Sequence, residues 1–521
     1  MAKDRREFLK NSGVLGLSGL ISPFSVFSED HDFLNFQQNS YLIKNTEILS
    51  MDDSVGDFLG MVLVENGKIS EVSKNIEIPQ GIEIIDAEGG ILIPGLIDCH
   101  WHLWTSLLRS MSGNSLQEGY FKMTARYSEL YSPEDMKLAA KYAIAEAIHS
   151  GITCISDYNH NARSWKYVKA SFDAMAEMGL RGHVSYGTYR NMKESDSTDF
   201  RGIKTLKELI ESDSKYNDIK LGLGSRYANY QDIILDWKRA RDLGLRITIH
   251  ASSNESQKGQ IASLYDKNLL AEDVNIIHGN AITPREIEFV EKTAASITMT
   301  PYSEMRIGYG LPKINQLNES QINCCVGIDT TALTGNAHLL DTLKLLQNLA
   351  NANAKNEFYI NPKKLLKMAT IQGAKNLGID NETGSITPGK SADLVLLKKD
   401  DLNFSTGNKA YHLVIEAALP SNINMVMPFR RPLFIISLAE TIKCHIGLFH
   451  IFPDIEPFQY PMHPLSHEGL NTFMLFPNSI QVNDFILLGT GFKCIQLRVG
   501  KCVANITLGF HYFIFFTNLN Y

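Results

Sequence analysis

The sequence predicts an α/β fold, a (β/α)8 or TIM barrel with a smaller β element before it. From Ile91 onward, eight short apolar runs alternate with helical patterns, which indicates parallel βα units. The runs occupy about 240 residues, the usual size of such a barrel. Several runs also end in histidine or aspartate. Active sites form where barrel strands end, so these side chains are the candidate functional residues.

The composition favours a large chain that acts on a small molecule. The chain has 521 residues and a formal net charge of -7, so it can bury a sizeable core and lacks the basic surface that nucleic acid requires. Its seven cysteines form no C-x-x-C pair, which argues against a disulfide framework and a zinc knuckle. We expect a small-molecule substrate and no nucleic-acid partner. The sequence leaves a homo-oligomer open.

Residues 1–28 resemble a twin-arginine export signal. Arg5 and Arg6 precede Phe8-Leu9-Lys10 and a short apolar run from Val14 to Ile21, which is too short to span a bilayer as a normal helix. The resemblance implies the twin-arginine export machinery as a partner and a periplasmic or membrane-associated enzyme. An alternative is a charged start followed by a buried helix. A signal that does not function would leave the protein cytoplasmic.

The segment from Tyr41 to Ala87 is predicted to form the small β element. It contains three short strand-like stretches, and Asn66-Gly67 lies between two of them. Asn-Gly is the dipeptide that a tight hairpin turn prefers.

The first barrel run ends in the stretch IPGLIDCHWHLW, which holds His100 and His102. Side chains of an extended chain alternate between its two faces, so both imidazoles point the same way. The favoured interpretation is that the two histidines bind a metal and that Asp98 orients a ring nitrogen of one of them. The alternative is that one of the two is a core histidine with its hydrogen bonds made inside the protein and that the other is solvated.

Three further runs end in residues that bind metals. His250 ends the fifth run, His278 ends the sixth and Asp329 ends the eighth. Carboxyl ends of parallel barrel strands share one rim, so these side chains and the two histidines of the first run are expected to meet. Five such residues on one rim predict a metal site.

At this point the chain resembles the amidohydrolase superfamily, in the branch of cytosine deaminase and triazine hydrolase, over about Tyr41 to Met427. The resemblance implies that His278 lies beside a metal-bound water. It also implies that the small element is a β-sandwich built from residues 41–90 and 384–427, with the barrel in residues 91–383. The implied metal ligands are His100, His102, His250 and Asp329.

The metal and its chemistry follow from the resemblance. Members with two metals carry a bridging lysine or glutamate where strand four ends, and this chain has LGLGSRY there. One divalent metal is therefore expected, zinc first and iron second. Such a metal lowers the pKa of water from about 16 toward 7. Asp329 takes the water's proton and His278 stabilises the developing oxyanion. The expected reaction is hydrolysis of a non-peptide C–N bond in a small molecule.

One departure from the resembled pattern keeps other functions open. Ring aminohydrolases of the branch carry His-x-x-Glu after strand five, whereas this chain has HASSN with Ser253 in the glutamate's position. The alternatives are an aminohydrolase or dechlorinase of heterocycles, and a ligand-binding barrel without turnover. Glu304, in TPYSEM, is a candidate for the pocket, or else a solvated loop carboxylate. His160 and Trp104 are candidate substrate contacts, or else a loop histidine and a packing residue.

Residues 428–521 form an atypical tail. Charged residues become sparse and three cysteines gather there, and no helical or strand period persists. A change of reading frame near Met427, giving a disordered or poorly packed tail, is the favoured interpretation. A genuine added domain is the alternative.

Overall fold

The structure, a computed structural model, describes residues 40–428 and four strands within residues 481–520. The predicted export signal lies outside the described residues. Within them, no helix has the length and apolar character needed to cross a membrane. In chain order the strands of residues 40–428 are β1 Tyr41–Leu49, β2 Asp57–Glu65, β3 Lys68–Ser73, β4 Glu83–Asp86, β5 Ile91–Pro94, β6 Leu96–Trp101, β7 Ile152–Asn159, β8 Arg181–Tyr186, β9 Ile219–Gly224, β10 Ile247–Ala251, β11 Val274–His278, β12 Ser296–Met299, β13 Asn323–Val326, β14 Leu394–Leu397 and β15 Ile423–Met427.

Helices connect the strands and cover them. The helix Pro133–His149 shows why they form where they do. Ser132 caps its first turn in a reciprocal capping box with Asp135, Pro133 opens it, and an alanine-rich face is buried. The helices are α1 Tyr120–Ser128, α2 Pro133–His149, α3 Trp165–Met178, α4 Phe200–Glu211, α5 Ile233–Asp242, α6 Gln260–Asp266, α7 Pro284–Thr293, α8 Pro301–Arg306, α9 Ile314–Glu319, α10 Thr331–Thr334, α11 Leu339–Ala354, α12 Pro362–Met368, α13 Ile371–Leu377 and α14 Ala410–His412.

Strands β6 to β13 form the predicted barrel. They lie side by side in chain order and pair in parallel. A bridge between Trp101 and Asp329 joins the last strand to the first. Strands β6 and β7 are buried along their whole length, as their continuous apolar composition predicts for strands covered on both faces. The predicted (β/α)8 barrel is confirmed.

The second sheet is built from both ends of residues 40–428, as predicted. Its strands run in the order β15-β14-β5-β1-β2-β3, and β4 pairs with β1. The pairing is mixed, because β1 is antiparallel to β2 but parallel to β4 and β5. Alternate side chains of these strands meet in one apolar core that contains Tyr41, Val62, Leu394 and Met427.

The boundary between the sheets differs from the predicted one. The run from Ile91 to His102 is predicted as the first barrel strand, but in the structure it divides at Gly95. Before Gly95, β5 pairs with β1 and β14. After it, Leu96 N donates to Gly151 O at 3.0 Å and the chain enters the barrel. A β-carbon at position 95 would lie 2.0 Å from Thr153 Oγ1, so only glycine allows the two sheets to approach here.

The tail contains four strands: β16 Gln481–Leu487, β17 Lys493–Val499, β18 Cys502–Leu508 and β19 Ile514–Asn520. They form an antiparallel sheet in chain order. This sheet belongs to a second unit of the chain, Ile436–Tyr521. The frame-change interpretation of residues 428–521 stays a prediction.

Candidate metal centre

The closure of the barrel brings the predicted ligands together. Asp329 N donates to His100 O, and His102 N donates to Asp329 O, each at 2.7 Å. These two backbone bonds lock the end of β6 to the residues after β13. His250 lies near the end of β10 and His278 ends β11, so the strand ends carry all five side chains to the same rim.

Four of these side chains converge on one point. The candidate ligand atoms of His100, His102, His250 and Asp329 lie within 4.8 Å of one another. Nε2 of His100 is 3.1 Å from Nε2 of His250. Asp329 Oδ1 lies 3.3 Å from Nε2 of His100 and 3.2 Å from Nε2 of His102. Three imidazoles and one carboxylate are a donor set that suits zinc and related divalent ions.

The surroundings prepare the rings for a metal. His102 Nδ1 donates to Tyr158 O at 2.7 Å, which leaves the lone pair of Nε2 for the centre. Asp98 was predicted to orient a ring nitrogen, but it acts on the backbone. Its two carboxylate oxygens accept from His100 N at 3.0 Å and from Ile328 N at 2.8 Å. Asp98 therefore holds the two strand ends in register.

The protonation states also fit a metal. Burial lowers the pKa of His100 to about 3 and holds the pKa of His250 well below its ordinary value. Burial alone raises the pKa of Asp329, but the rings of His100 and His102 beside its carboxylate outweigh burial and hold that pKa well below its usual range. Neutral imidazoles and an ionised carboxylate are the forms that coordinate a cation.

Three residues at this rim have a left-handed backbone conformation. His278 has φ 73°, Asp329 has φ 63° and Ser252 has φ 48°. Side-chain-bearing residues rarely adopt this left-handed region, and such strain persists where a functional geometry requires it.

His278 is supported by a buried carboxylate. Its Nδ1 lies 3.0 Å from Thr300 Oγ1 and 3.2 Å from Glu304 Oε1. Glu304, in the first turn of α8, is fully buried, and its Oε1 accepts from Thr300 N at 2.7 Å. The alternative of a solvated loop carboxylate is therefore wrong for Glu304. Glu304 was expected to contact substrate in the pocket, but its side chain lies behind His278 and does not line the cavity.

A cavity of about 380 Å³ opens at the site and is lined by three of the four converging residues, His102, His250 and Asp329. His160 lines it and stacks on His102, with the ring centroids 3.8 Å apart. Trp104 is buried behind His160 and donates to it from Nε1, so the predicted substrate contact of Trp104 is a contact with His160. Wall residues that the sequence interpretation missed are Tyr120, Tyr158, Gln257 and Tyr309.

A sequence signal existed for only one of the missed residues. Tyr158 precedes His160 by two positions in the same run, so the period of a strand places both on one face. Its hydroxyl donates to Ser225 O at 2.6 Å. Ser253, which replaces the expected glutamate, also lines the cavity. Glu255, two residues further along the chain than Ser253, has a side chain that is 77% exposed.

A closed parallel barrel with a His-x-His, two further histidines and an aspartate on its carboxyl rim defines a metal-dependent hydrolase. The chain belongs to the amidohydrolase family, whose model matches residues 91–427. The prediction of a hydrolase acting on carbon–nitrogen bonds other than peptide bonds is confirmed by this membership and by the deaminases to which the chain is similar.

Two curated relatives cover most of the described chain. The 5-methylthioadenosine/S-adenosylhomocysteine deaminase of Caldicellulosiruptor saccharolyticus is 27% identical over 400 residues, 73% of this chain and 90% of the relative. The 5'-deoxyadenosine deaminase of Methanobrevibacter smithii is 28% identical over 394 residues, 71% and 87% of the two chains.

Solved structures share the fold. An adenosine deaminase from Xanthomonas campestris with bound zinc has a TM-score of 0.68 at 19% identity and covers 78% of this chain and 98% of its own. The atrazine chlorohydrolase of Arthrobacter aurescens complexed with zinc has a TM-score of 0.68 at 20% identity and covers 78% and 99%.

We expect one divalent metal per chain. The strand-four end offers Gly224 and Ser225 in place of a bridging residue, and Lys220 lies exposed near the start of β9. Elemental analysis of the purified protein, with chain concentration from amino-acid analysis, measures the ratio. A ratio near two in the active form would contradict the mononuclear interpretation.

Proposed function

We propose that the protein is a zinc-dependent aminohydrolase that replaces an exocyclic amino group of a heteroaromatic ring with oxygen. The observation that carries the proposal is the buried pair of His278 and Glu304 beside the four candidate ligands. It offers the acid–base group that Ser253 does not supply. The deaminase relatives and the aromatic walls of the cavity support the same choice of substrate.

The candidate ligands fit a single zinc ion in number, donor type and protonation. Such an ion supplies Lewis acidity and lowers the pKa of a bound water from about 16 toward 7. The chain's own residues then move protons. Asp329, ionised and part of the ligand set, accepts the proton of the attacking water.

His278 performs the second proton transfer. Glu304 Oε1 already accepts from Thr300 N, so this oxygen faces His278 as an acceptor and favours the tautomer of His278 with its proton on Nδ1. Nε2 is then the nitrogen left for the cavity that His278 lines. A proton taken there gives an imidazolium that Glu304 stabilises, and His278 can pass that proton to the departing amine. Glu304 is thus a positioning residue for His278.

The test is a substrate panel on the zinc-loaded full chain. Ammonia release is measured for aminopurines, aminopyrimidines and aminotriazines, beside chloride release from chlorotriazines and hydrolysis of amides, cyclic imides and lactones. Ammonia release from at least one ring supports the proposal. Chloride release without ammonia would establish a dechlorinase. A metal-loaded protein that turns over nothing on the panel would favour the ligand-binding barrel.

Replacing Glu304 with glutamine is expected to lower kcat by roughly 10²-fold with the metal retained. Glutamine keeps the size and one acceptor for His278 Nδ1 but removes the charge that stabilises the imidazolium, and losses of this scale are typical of general acid–base groups. Steady-state kinetics and elemental analysis measure the two quantities.

The matched control is Glu255→Gln, which removes an exposed carboxylate from the loop after β10. We expect its kcat and metal content to match those of the unmodified protein. A Glu304→Gln protein with full metal and unchanged kcat would remove Glu304 from the proposed proton path.

A further inference from the structure

Trp104 and His160 form a buried pair at one wall of the cavity. The indole Nε1 of Trp104 donates to Nδ1 of His160 at 2.8 Å. An indole N–H can only donate, so Nδ1 of His160 must present its lone pair, and the ring proton lies on Nε2. Trp104 therefore fixes His160 as a neutral imidazole with a hydrogen-bond donor at Nε2.

The acceptor for this donor is missing from residues 40–428. His160 is 8% exposed, and its Nε2 is buried without a hydrogen-bond partner. The ring is held firmly, because it also stacks on His102 at 3.8 Å. A buried donor without an acceptor is unfavourable. An oxygen of a ligand in the cavity would satisfy it.

Arg190 supplies a positive charge to the same cavity. It lines the wall, and its guanidinium carbon lies 5.5 Å from the ring centroid of Tyr120 and 5.6 Å from that of Phe121. Its Nε is buried without a partner. Among the described residues no carboxylate lies within ion-pair distance of it, and its guanidinium lies beside the aromatic rings of Tyr120 and Phe121.

The other arginine in the cavity wall, Arg226, uses its guanidinium to bind groups of the protein itself. Arg226 donates to the backbone oxygens of Lys193 and Asp196 and stacks on Tyr230, 4.1 Å from the ring centroid. These bonds hold the loop that follows Arg190. Arg190 is therefore the arginine of this cavity with donors left for a ligand.

We propose that His160 and Arg190 form a subsite for a carboxylate, so that the substrate of the proposed aminohydrolase is a heterocycle that carries one. The inference rests on the proposed function for the identity of the reacting ring. One guanidinium and one neutral donor match the single charge and paired oxygens of a carboxylate. A phosphate, with nearly two charges, would keep part of its charge unbalanced.

The experiment compares two ring probes of nearly equal size, nicotinate and nicotinamide, by calorimetric titration of the zinc-loaded full chain. We expect nicotinate to bind roughly 10- to 100-fold more tightly, the usual range for charge-assisted hydrogen bonds. His160→Phe, which keeps a flat ring, and Arg190→Gln should each remove most of this preference. The control is Arg285→Gln, which removes another arginine stacked on an aromatic ring, 5.2 Å from the centroid of Phe289, and should retain it.

A second measurement does not depend on the variants. In spectra of ¹⁵N-histidine-labelled protein, nicotinate should shift the Nε2–H signal that is missing from His160→Phe, and nicotinamide should shift it less. The proposal would be overturned if the two probes bound equally or if neither bound. It would also be overturned if both variants kept the preference for nicotinate, because the metal would then hold the carboxylate. Strong displacement of nicotinate by inorganic phosphate would overturn the carboxylate assignment. Probe binding needs no turnover, so failure of the subsite is distinguishable from failure of the proposed reaction.

Discussion

Replacing His100 with alanine is expected to remove the bound metal and the hydrolytic activity together. The ring is fully buried, and its Nε2 lies 3.1 Å from His250 Nε2 and 3.3 Å from Asp329 Oδ1. Alanine leaves two imidazoles and a carboxylate around an enlarged space, and metal affinity falls steeply when one of few ligands is lost. Elemental analysis after dialysis, followed by turnover of the best substrate from the panel, measures both effects.

The matched control is His183→Leu. His183 is also a buried barrel histidine, on β8, and neither of its ring nitrogens has a partner in residues 40–428. Burial lowers its pKa to about 3, so leucine replaces a neutral ring by an apolar group of similar size. This variant should keep its metal. Full metal content in His100→Ala would remove His100 from the ligand set.

Replacing Asp329 with asparagine is expected to retain metal and to lower kcat by roughly 10²- to 10⁴-fold, the usual scale for a general base. Asparagine keeps the size and one oxygen donor but cannot take a proton from water. Burial raises the pKa of Asp329, but the neighbouring rings of His100 and His102 hold it well below its usual range, so Asp329 is ionised at neutral pH. Kinetics at saturating substrate and elemental analysis separate catalysis from binding.

Asp242→Asn is the control for the loss of a carboxylate, because Asp242 is exposed and pairs with Lys238 on the barrel exterior. It should leave kcat and metal unchanged. Near-normal turnover in Asp329→Asn would transfer the role of base to the pair of His278 and Glu304.

Much of the fold and most of the metal centre were predictable from local pattern. Alternating apolar runs and helical segments predict parallel strands, since each strand must bury both faces. The spacing of His100 and His102 places both rings on one face, because side chains of a strand alternate. His250, His278 and Asp329 could be added because the ends of parallel strands meet at one rim, wherever those strands lie in the sequence.

The supporting residues depended on contacts that no local pattern encodes. At Gly95, where the first strand run divides, Thr153 on the neighbouring strand leaves no space for a β-carbon. Glu304 and Trp104 were expected in the cavity, but each lies behind a histidine that faces it. The orientation of α8 decides the first case, and the packing of the turn after β6 decides the second.

The sequence was sufficient for the architecture, the rim and the candidate ligands, since these follow from periodicity and chain direction. The tertiary structure decided which ring nitrogen of His278 and of His160 carries the proton. It also decided which arginine of the cavity has N–H groups left to bind a ligand. His278 meets a carboxylate 26 residues away and His160 meets an indole 56 residues away. Such pairs form only when barrel closure brings distant strand ends within hydrogen-bond distance, because the directions of donors and acceptors depend on positions in space and not on spacing along the chain.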